Sequence, residues 1–389
     1  MLTRTGWGVV LGAMATLIAG RLLGIHELFL LGAGASALVI GAFVWVNATR
    51  LRLDVSRDLH PPRVYAGSAS RVDLRLRNRG RRRTPPLTLR DPVGRTRGAE
   101  IAVGPLEPGE EVRSAYRLPA RTRGIVPVGP LAVELTDPFG LVTVATEGAE
   151  RAELTVYPAV EHVEPLPHTL GDDPHAGADH PNALSSEGED FYALRHYELG
   201  DDLRRVHWRA TARHDDLMVR QEEMPWQGRA TVVLDSRRGA HTDDSFEQAV
   251  SAAASIVVAC QKRRFLMRLV TSDGRDTGFA AGQAHVEAIM ERLATVQVSR
   301  QARLQGVVGA LRRTTYGGAL VALLGGRAEA GGDAVLRLTA QFPHATMVVF
   351  APAGGVPAGA LAVGRGQSFA EVWNPRMHAG RPSGARTRA

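Results

Sequence analysis

The sequence predicts a membrane-anchored chain of three parts: a transmembrane helical hairpin, a β-sandwich and an α/β open sheet. Three observations carry that prediction. Two long apolar runs open the chain, at residues 7–23 and 28–46. From 54 to 158, short runs of alternating apolar and polar residues are broken repeatedly by Gly and Pro. From 230 to 350, strand patterns and helix patterns take turns.

Each apolar run approaches the roughly 20 residues that cross a bilayer as a helix. Only Gly24, Ile25, His26 and Glu27 separate them, which calls for a tight hairpin over residues 1–50. A cleaved signal peptide is the rival for the first run, but a second apolar run follows at once and no small-x-small cleavage site is evident. Gly8, Gly12, Thr16, Gly20 and Gly24 recur every four residues, and Ala33, Ala37 and Gly41 do the same on the second run. Such small-residue ridges let helix backbones approach closely. Arg4 precedes the hairpin and Arg50, Arg52 and Arg57 follow it, while the loop has neither Lys nor Arg. The positive-inside rule then predicts cytoplasmic flanks, in a cell (inner) membrane protein with two spans.

The runs at 71–77, 86–90 and 131–135 alternate with period two, as half-buried strands do, and predict a β-sandwich over 51–160. Residues 78–83 form a very basic turn, read as a solvated loop or as a contact to lipid headgroups near the hairpin. Residues 161–187 are rich in Pro, Gly, Asp and His and predict a flexible linker. His168, Asp172, Asp173, His175, Asp179 and His180 lie there, with a spacing that fits no standard metal template. In the last part, strands are expected at 230–234, 265–271, 319–324 and 345–350, and helices at 245–260, 285–294, 306–313 and 333–342. The tail 375–389 is basic and predicted to be disordered.

The net charge is +7, carried almost wholly by Arg because Lys262 is the sole lysine. A basic balance permits nucleic-acid or anionic-lipid binding, yet no zinc-finger, recognition-helix or RNA-binding motif accompanies it. Cys260 is the only cysteine, so no disulfide can form within the chain, and it reads as a core residue.

The segment 188–220 is the most distinctive. Gly200, Asp201 and Asp202 read as a turn into a helix at 203–213, where Asp suits the free N–H groups and positive end of the dipole. Leu217, Val219 and Gln221 alternate as a strand. Candidate partner-binding residues are Arg195, Tyr197, Gly200, Asp201, Asp202, Arg204, Arg205, Trp208, Arg209 and Arg213. Tyr197 and Trp208 can bury large apolar surfaces as a clamp, and the arginines can pair with carboxylates in bidentate fashion.

Gly188, Phe191, Leu194, Arg195, Tyr197, Gly200, Asp201, Asp202, Arg205, Trp208, Ala210, Ala212, Arg213, Val219 and Arg220 resemble the domain-of-unknown-function 58 family of bacterial proteins. An upstream block fits it too: Thr122 to Ile125, Asp137-Pro138-Phe139-Gly140-Leu141, and Val156-Tyr157-Pro158. His207 stands where members often carry a small polar or acidic residue. The resemblance implies a von Willebrand factor A-like domain over 188–374, whose intact relatives hold a divalent metal through Asp-x-Ser-x-Ser at a strand end. Here Asp235 is kept, but Arg237 and Gly239 replace the hydroxyls, and Gly325-Gly326-Arg327 lacks the expected acid. Asp235 is therefore expected to mark a degenerate metal site, with Arg237, Arg238 and Arg327 around it, no cofactor, and no need for magnesium in the fold.

The same resemblance implies a non-catalytic scaffold partnered by a MoxR-type AAA+ ATPase in an envelope-related assembly, together with a transglutaminase-like membrane protein. Two alternatives are open: a hydrolase using His196, His207, Asp201 or Asp202 as acid–base groups, and a binder of anionic ligands or nucleic acid. Against catalysis, the chain has no nucleophile elbow, Walker A loop or zincin motif.

Overall fold

The computed structural model describes residues 1–49, 51–167, 191–196, 208, 211, 216–222, 228–314, 318–327, 332–339, 342 and 344–379. They form two compact units, Met1–Tyr157 and Pro158–Ala389.

The first unit opens with α1 (Arg4–Leu23) and α2 (His26–Ala48), both long and apolar enough to cross a membrane. Gly24 turns the chain between them with a left-handed φ of 69°, and its N–H caps the Gly20 carbonyl. Only 17% and 22% of the two apolar windows are buried. Trp7, Leu11, Met14, Ile18, Phe29, Leu30, Leu31, Ile40 and Phe43 all point outward. Water disfavours such a surface and hydrocarbon does not. The seam differs from the expected ridges. Gly6, Ala13 and Gly20, seven residues apart, are the buried positions of α1. A Cβ on Gly20 would lie 2.7 Å from Phe29 N, and one on Gly32 would lie 2.7 Å from Thr16 Oγ1. Gly8, Gly12 and Gly41 face open space, so of the predicted α1 ridge only Thr16 and Gly20 pack at the helix–helix seam, while Gly24 makes the turn.

Ten strands follow: β1 (Leu53–His60), β2 (Arg63–Tyr65), β3 (Ala69–Asn78), β4 (Leu87–Val93), β5 (Thr96–Val103), β6 (Glu111–Pro119), β7 (Gly124–Val128), β8 (Leu131–Thr136), β9 (Thr143–Ala149) and β10 (Ala152–Tyr157). One sheet has the order β1-β3-β6; the other runs β2-β10-β7-β4-β8-β9, with β5 also on β4. Strict alternation on β3 turns Val72, Leu74 and Leu76 inward, where they share one buried cluster with Leu87, Leu89, Val133, Leu135 and Leu154 of the second sheet. Ala42 and Val46 of α2 join that cluster, so the hairpin and the sheets are one packed body. A buried ion pair, Arg57 to Asp91 at 2.7 Å, is completed by Tyr116 donating to Asp91 Oδ2 at 2.7 Å.

In the second unit β11 (Phe191–His196) and β12 (Met218–Glu222) make an antiparallel pair. The rest is a parallel sheet with β13 (Arg229–Leu234), β14 (Leu266–Thr271), β15 (Ala319–Gly325), β16 (His344–Phe350) and β17 (Leu361–Val363), in the order β14-β13-β15-β16-β17. Around it lie α3 (Asp243–Gln261), α4 (Gln283–Thr295), α5 (Leu304–Thr314), α6 (Gly332–Thr339) and α7 (Phe369–Ala379). The alternating order thus yields the open α/β sheet that was expected. Strand β15 is buried at all seven positions, as befits a central parallel strand. Helix α3 starts at a capping box between Thr242 and Ser245 and buries Phe246, Val250, Ile256 and Val257; Cys260 is fully buried there.

Two boundaries differ from expectation. Residues 161–166, assigned to a linker, are packed: Val163 and Leu166 are buried. The Glu161 carboxylate accepts from Ala370 N (2.9 Å) and from Ser368 Oγ at the start of α7. Likewise α7 runs to Ala379, and Met377, expected in a disordered tail, is buried. Phe369, Trp373 and Met377 recur every four residues and form one apolar stripe.

Candidate functional site

Open α/β sheets bind ligands beyond the carboxyl ends of their strands, where the strand order reverses. Here that reversal lies between β13 and β15, because β14 flanks β13 on one side and β15 on the other. Strand β13 ends at Leu234, and the next residue, Asp235, is fully buried at this position. Its carboxylate is taken up by the chain itself. Arg237 Nε donates to Oδ1 at 2.9 Å and Nη2 to Oδ2 at 2.8 Å, while the Arg237 backbone N–H reaches Oδ1 at 3.0 Å. This is the planar two-pronged pairing at which guanidinium excels. Ser272 at the end of β14 donates to Asp235 Oδ1 at 3.4 Å, and its Oγ accepts from Ser236 N at 2.8 Å.

The β15 side is closed by backbone. A Cβ on Gly325 would stand 2.2 Å from the Ala240 carbonyl oxygen, and one on Gly326 would stand 2.4 Å from that of Ala351. Arg327 N donates to Ala240 O at 3.1 Å, tying the loop after β13 to the loop after β15. The glycines where an acidic ligand was sought therefore serve close packing: no side chain fits. Arg237 sits on Asp235 as expected, whereas Arg238 and Arg327 are exposed.

Sequence reasoning missed His241. It is buried beside this cluster, stacked edge-on against Phe246 with ring centroids 5.5 Å apart. Its Nδ1 lies 3.3 Å from Ser245 Oγ, and its Nε2 has no hydrogen-bond partner among the described residues. Burial pushes the imidazole below its ordinary value, against the opposing pull of Asp235. The folded state then resists a proton that the unfolded chain accepts. The contribution of His241 is whole above its unfolded value and is lost as pH falls below about 6.5. A thermal-melt series across pH 7.5 to 5 is expected to show the second unit weakening by at most about 1.4 kcal/mol per pH unit from this group. His241→Gln should flatten that part of the profile; an unchanged profile overturns the assignment.

Of the 188–220 candidates, Arg195 and Trp208 are among the described residues. Tyr197, Gly200, Asp201, Asp202, Arg204, Arg205, Arg209 and Arg213 lie outside the described residues, as do His207 and the His/Asp set from His168 to His180. Arg195 is on β11, in register with Val219, and His196 is in register with Met218. The expected strand is present as β12. Trp208 and Thr211 have helical backbone, and Thr211 Oγ1 accepts from Met218 N at 3.0 Å. Trp208 is 67% exposed, which corrects the expectation that it is buried in a clamp. Among the described residues no group of three or more His, Cys, Asp or Glu is placed to hold a metal.

Residues 193–346 match the family model DUF58, described as a protein of unknown function. No curated protein matches the chain. Among solved structures, the CARDB domain of the PF1109 protein from Pyrococcus furiosus is similar at 17% identity and a TM-score of 0.22, over 27% of this chain and 93% of that one. An alkylpurine DNA glycosylase, AlkC, from Pseudomonas fluorescens is similar at 10% identity and a TM-score of 0.19, over 33% and 38%. β-Glucosidase 3B from Thermotoga neapolitana follows at 15% and 0.16, over 27% and 17%. Likenesses this slight carry no argument about function.

Proposed function

We propose, for a chain whose residues 193–346 match the DUF58 family model, a membrane-anchored and non-catalytic interaction protein. In this reading α1 and α2 span the inner membrane, the two-sheet module is a β-sandwich spacer, and the parallel-sheet domain is a von Willebrand factor A-like platform for a MoxR-type AAA+ ATPase. The observation that carries it is the closed carboxyl edge of the parallel sheet. Where such domains take substrates or metals, Arg237 occupies the Asp235 carboxylate and Gly325–Gly326 are pressed against neighbouring backbone. A surface without a built reaction centre suits recognition of another protein. The outward apolar surface of both helices supports the anchor, and Met1–Thr3 and β1 lie at the same end of the hairpin, which favours both flanks on one side.

The test has two arms. Reporter fusions at residue 60 and at the C-terminus are expected to read cytoplasmic; export of the C-terminal reporter refutes the topology. The full chain is expected to retain a MoxR-type AAA+ ATPase from the same cell in a pull-down. Single alanine changes at Arg195, Arg204, Arg205 and Arg209 should weaken that retention while the melting temperature stays. If all four variants stay folded and bind as before, the partner surface lies elsewhere.

A further inference from the structure

Two loops at the hairpin end of the first unit remain unexplained by the proposed role. The first is the turn Asp137–Gly140. Asp137 is buried, and its carboxylate accepts from Phe139 N (2.8 Å), Leu141 N (2.7 Å) and Val142 N (2.6 Å). That rigid ring of bonds holds Phe139 at the tip, 63% exposed. The turn is joined to the start of α1. Thr3 Oγ1 donates to Gly140 O at 2.6 Å, Thr3 N donates to Leu141 O at 2.9 Å, and Gly6 lies so close to Leu141 O that a Cβ would meet it at 2.1 Å. Phe139 is thus level with the first turn of the hairpin.

The second loop is 79–83. Arg79 N donates to Arg52 O at 2.8 Å, four residues past the last residue of α2. Asn78 is buried and braces the loop, donating to Arg82 O (2.9 Å) and Leu106 O (3.0 Å). Arg79 is paired with Asp54, and Arg83 lies 3.3 Å from Glu107. Arg81 and Arg82 are exposed and have no carboxylate partner among the described residues, and Arg4 and Arg52 are exposed at the two outer ends of the hairpin.

An exposed aromatic on a rigid turn is poorly served by water and well served by the boundary between headgroups and acyl chains. Unpaired arginines at the same level match lipid phosphate. We propose that this end of the first unit is a lipid-docking face. Phe139 seats in the interfacial layer while Arg4, Arg52, Arg81 and Arg82 bind the headgroups of anionic phospholipids. The proposal rests on the reading of α1 and α2 as bilayer-spanning. It gives the rigid first unit a fixed attitude on the membrane, beyond simple tethering.

The experiment uses the full chain in vesicles of phosphatidylcholine, with and without phosphatidylglycerol. Cys260 can stay, because it is buried and its thiol is pushed up to about 12, so a thiol-reactive fluorophore goes to an introduced cysteine. With Phe139→Cys the emission is expected to shift to the blue and to be quenched by lipids brominated high on the acyl chain. With Ser68→Cys, on the exposed turn at the other end of β3, it should do neither. Arg81→Gln with Arg82→Gln should lower the enrichment of phosphatidylglycerol around the chain, on the order of fivefold per arginine. If the chain washes out in alkaline carbonate, the spanning reading fails and the docking face with it. If the chain stays, but position 139 reads as wet as position 68 or the arginine pair leaves enrichment unchanged, the docking face alone is wrong.

Discussion

Replacing Trp373 with alanine is expected to destabilise the second unit by about 3–5 kcal/mol, the range for emptying a buried aromatic site. Trp373 is fully buried on α7, 5.2 Å from Phe369 between ring centroids, and Phe369 lies 6.3 Å from Phe350 on β16. The ring therefore links the last helix to the sheet. Its Nε1 donates to Glu164 O at 2.8 Å, and the neighbouring Asn374 accepts from Glu164 N at 2.8 Å. The substitution thus leaves both a cavity and a bereft carbonyl, and it frees the 161–166 segment as well. Trp373→Phe should recover most of the packing and none of the hydrogen bond, costing roughly 1 kcal/mol for the latter. Hydrogen exchange on the full chain in detergent checks this: protection at 161–166 should fall with that of α7. If protection at 161–166 is unchanged in Trp373→Ala, the segment is held by something other than this helix.

Arg237→Ala is expected to cost a similar amount, about 3–5 kcal/mol, because it leaves the Asp235 carboxylate buried with no counter-charge. Asp235 is fully buried and the Arg237 side chain is 18% exposed, so water does little to compensate. The sign can be tested by a second change. Asp235→Asn in the same chain removes the stranded charge, so the double variant should melt above Arg237→Ala alone. A double variant that is additive or worse contradicts the pairing account. The wild-type chain should show no saturable rise in melting temperature with magnesium or manganese, since a cation that binds only the folded state must raise it. A rise abolished by Asp235→Ala would mean that the metal displaces Arg237.

Much of this was legible in the residues. The hairpin, the strand runs at 71–77 and 131–135, and the parallel-sheet elements from β13 to β16 all follow from local period and turn chemistry. Asp235 was also visible as a lone acid at a strand end among Arg237, Arg238 and Arg327, but which arginine takes its carboxylate was not. Helix α7 escaped notice because Pro375 stands inside it, and only three of its eleven residues, Phe369, Trp373 and Met377, are buried. His241 escaped notice because nothing adjacent in sequence distinguishes a buried histidine from an exposed one.

The sequence by itself determined the order and type of most of the elements, because each depends on neighbours within a few residues: an apolar stretch of spanning length, an alternation of apolar and polar residues, Gly and Pro at the turns. Only the tertiary structure decided which glycines carry weight. Gly20 and Gly32 close the hairpin while Gly8 and Gly12 face outward. Gly325 and Gly326 lie against Ala240 and Ala351, on loops distant in the chain. It also decided that Glu161 caps a helix more than two hundred residues away, and that Phe139 stands beside the first turn of α1. Those outcomes depend on distances between segments far apart in sequence. Backbone approach and side-chain burial are set there by how whole layers pack, and no local pattern of residue types encodes them.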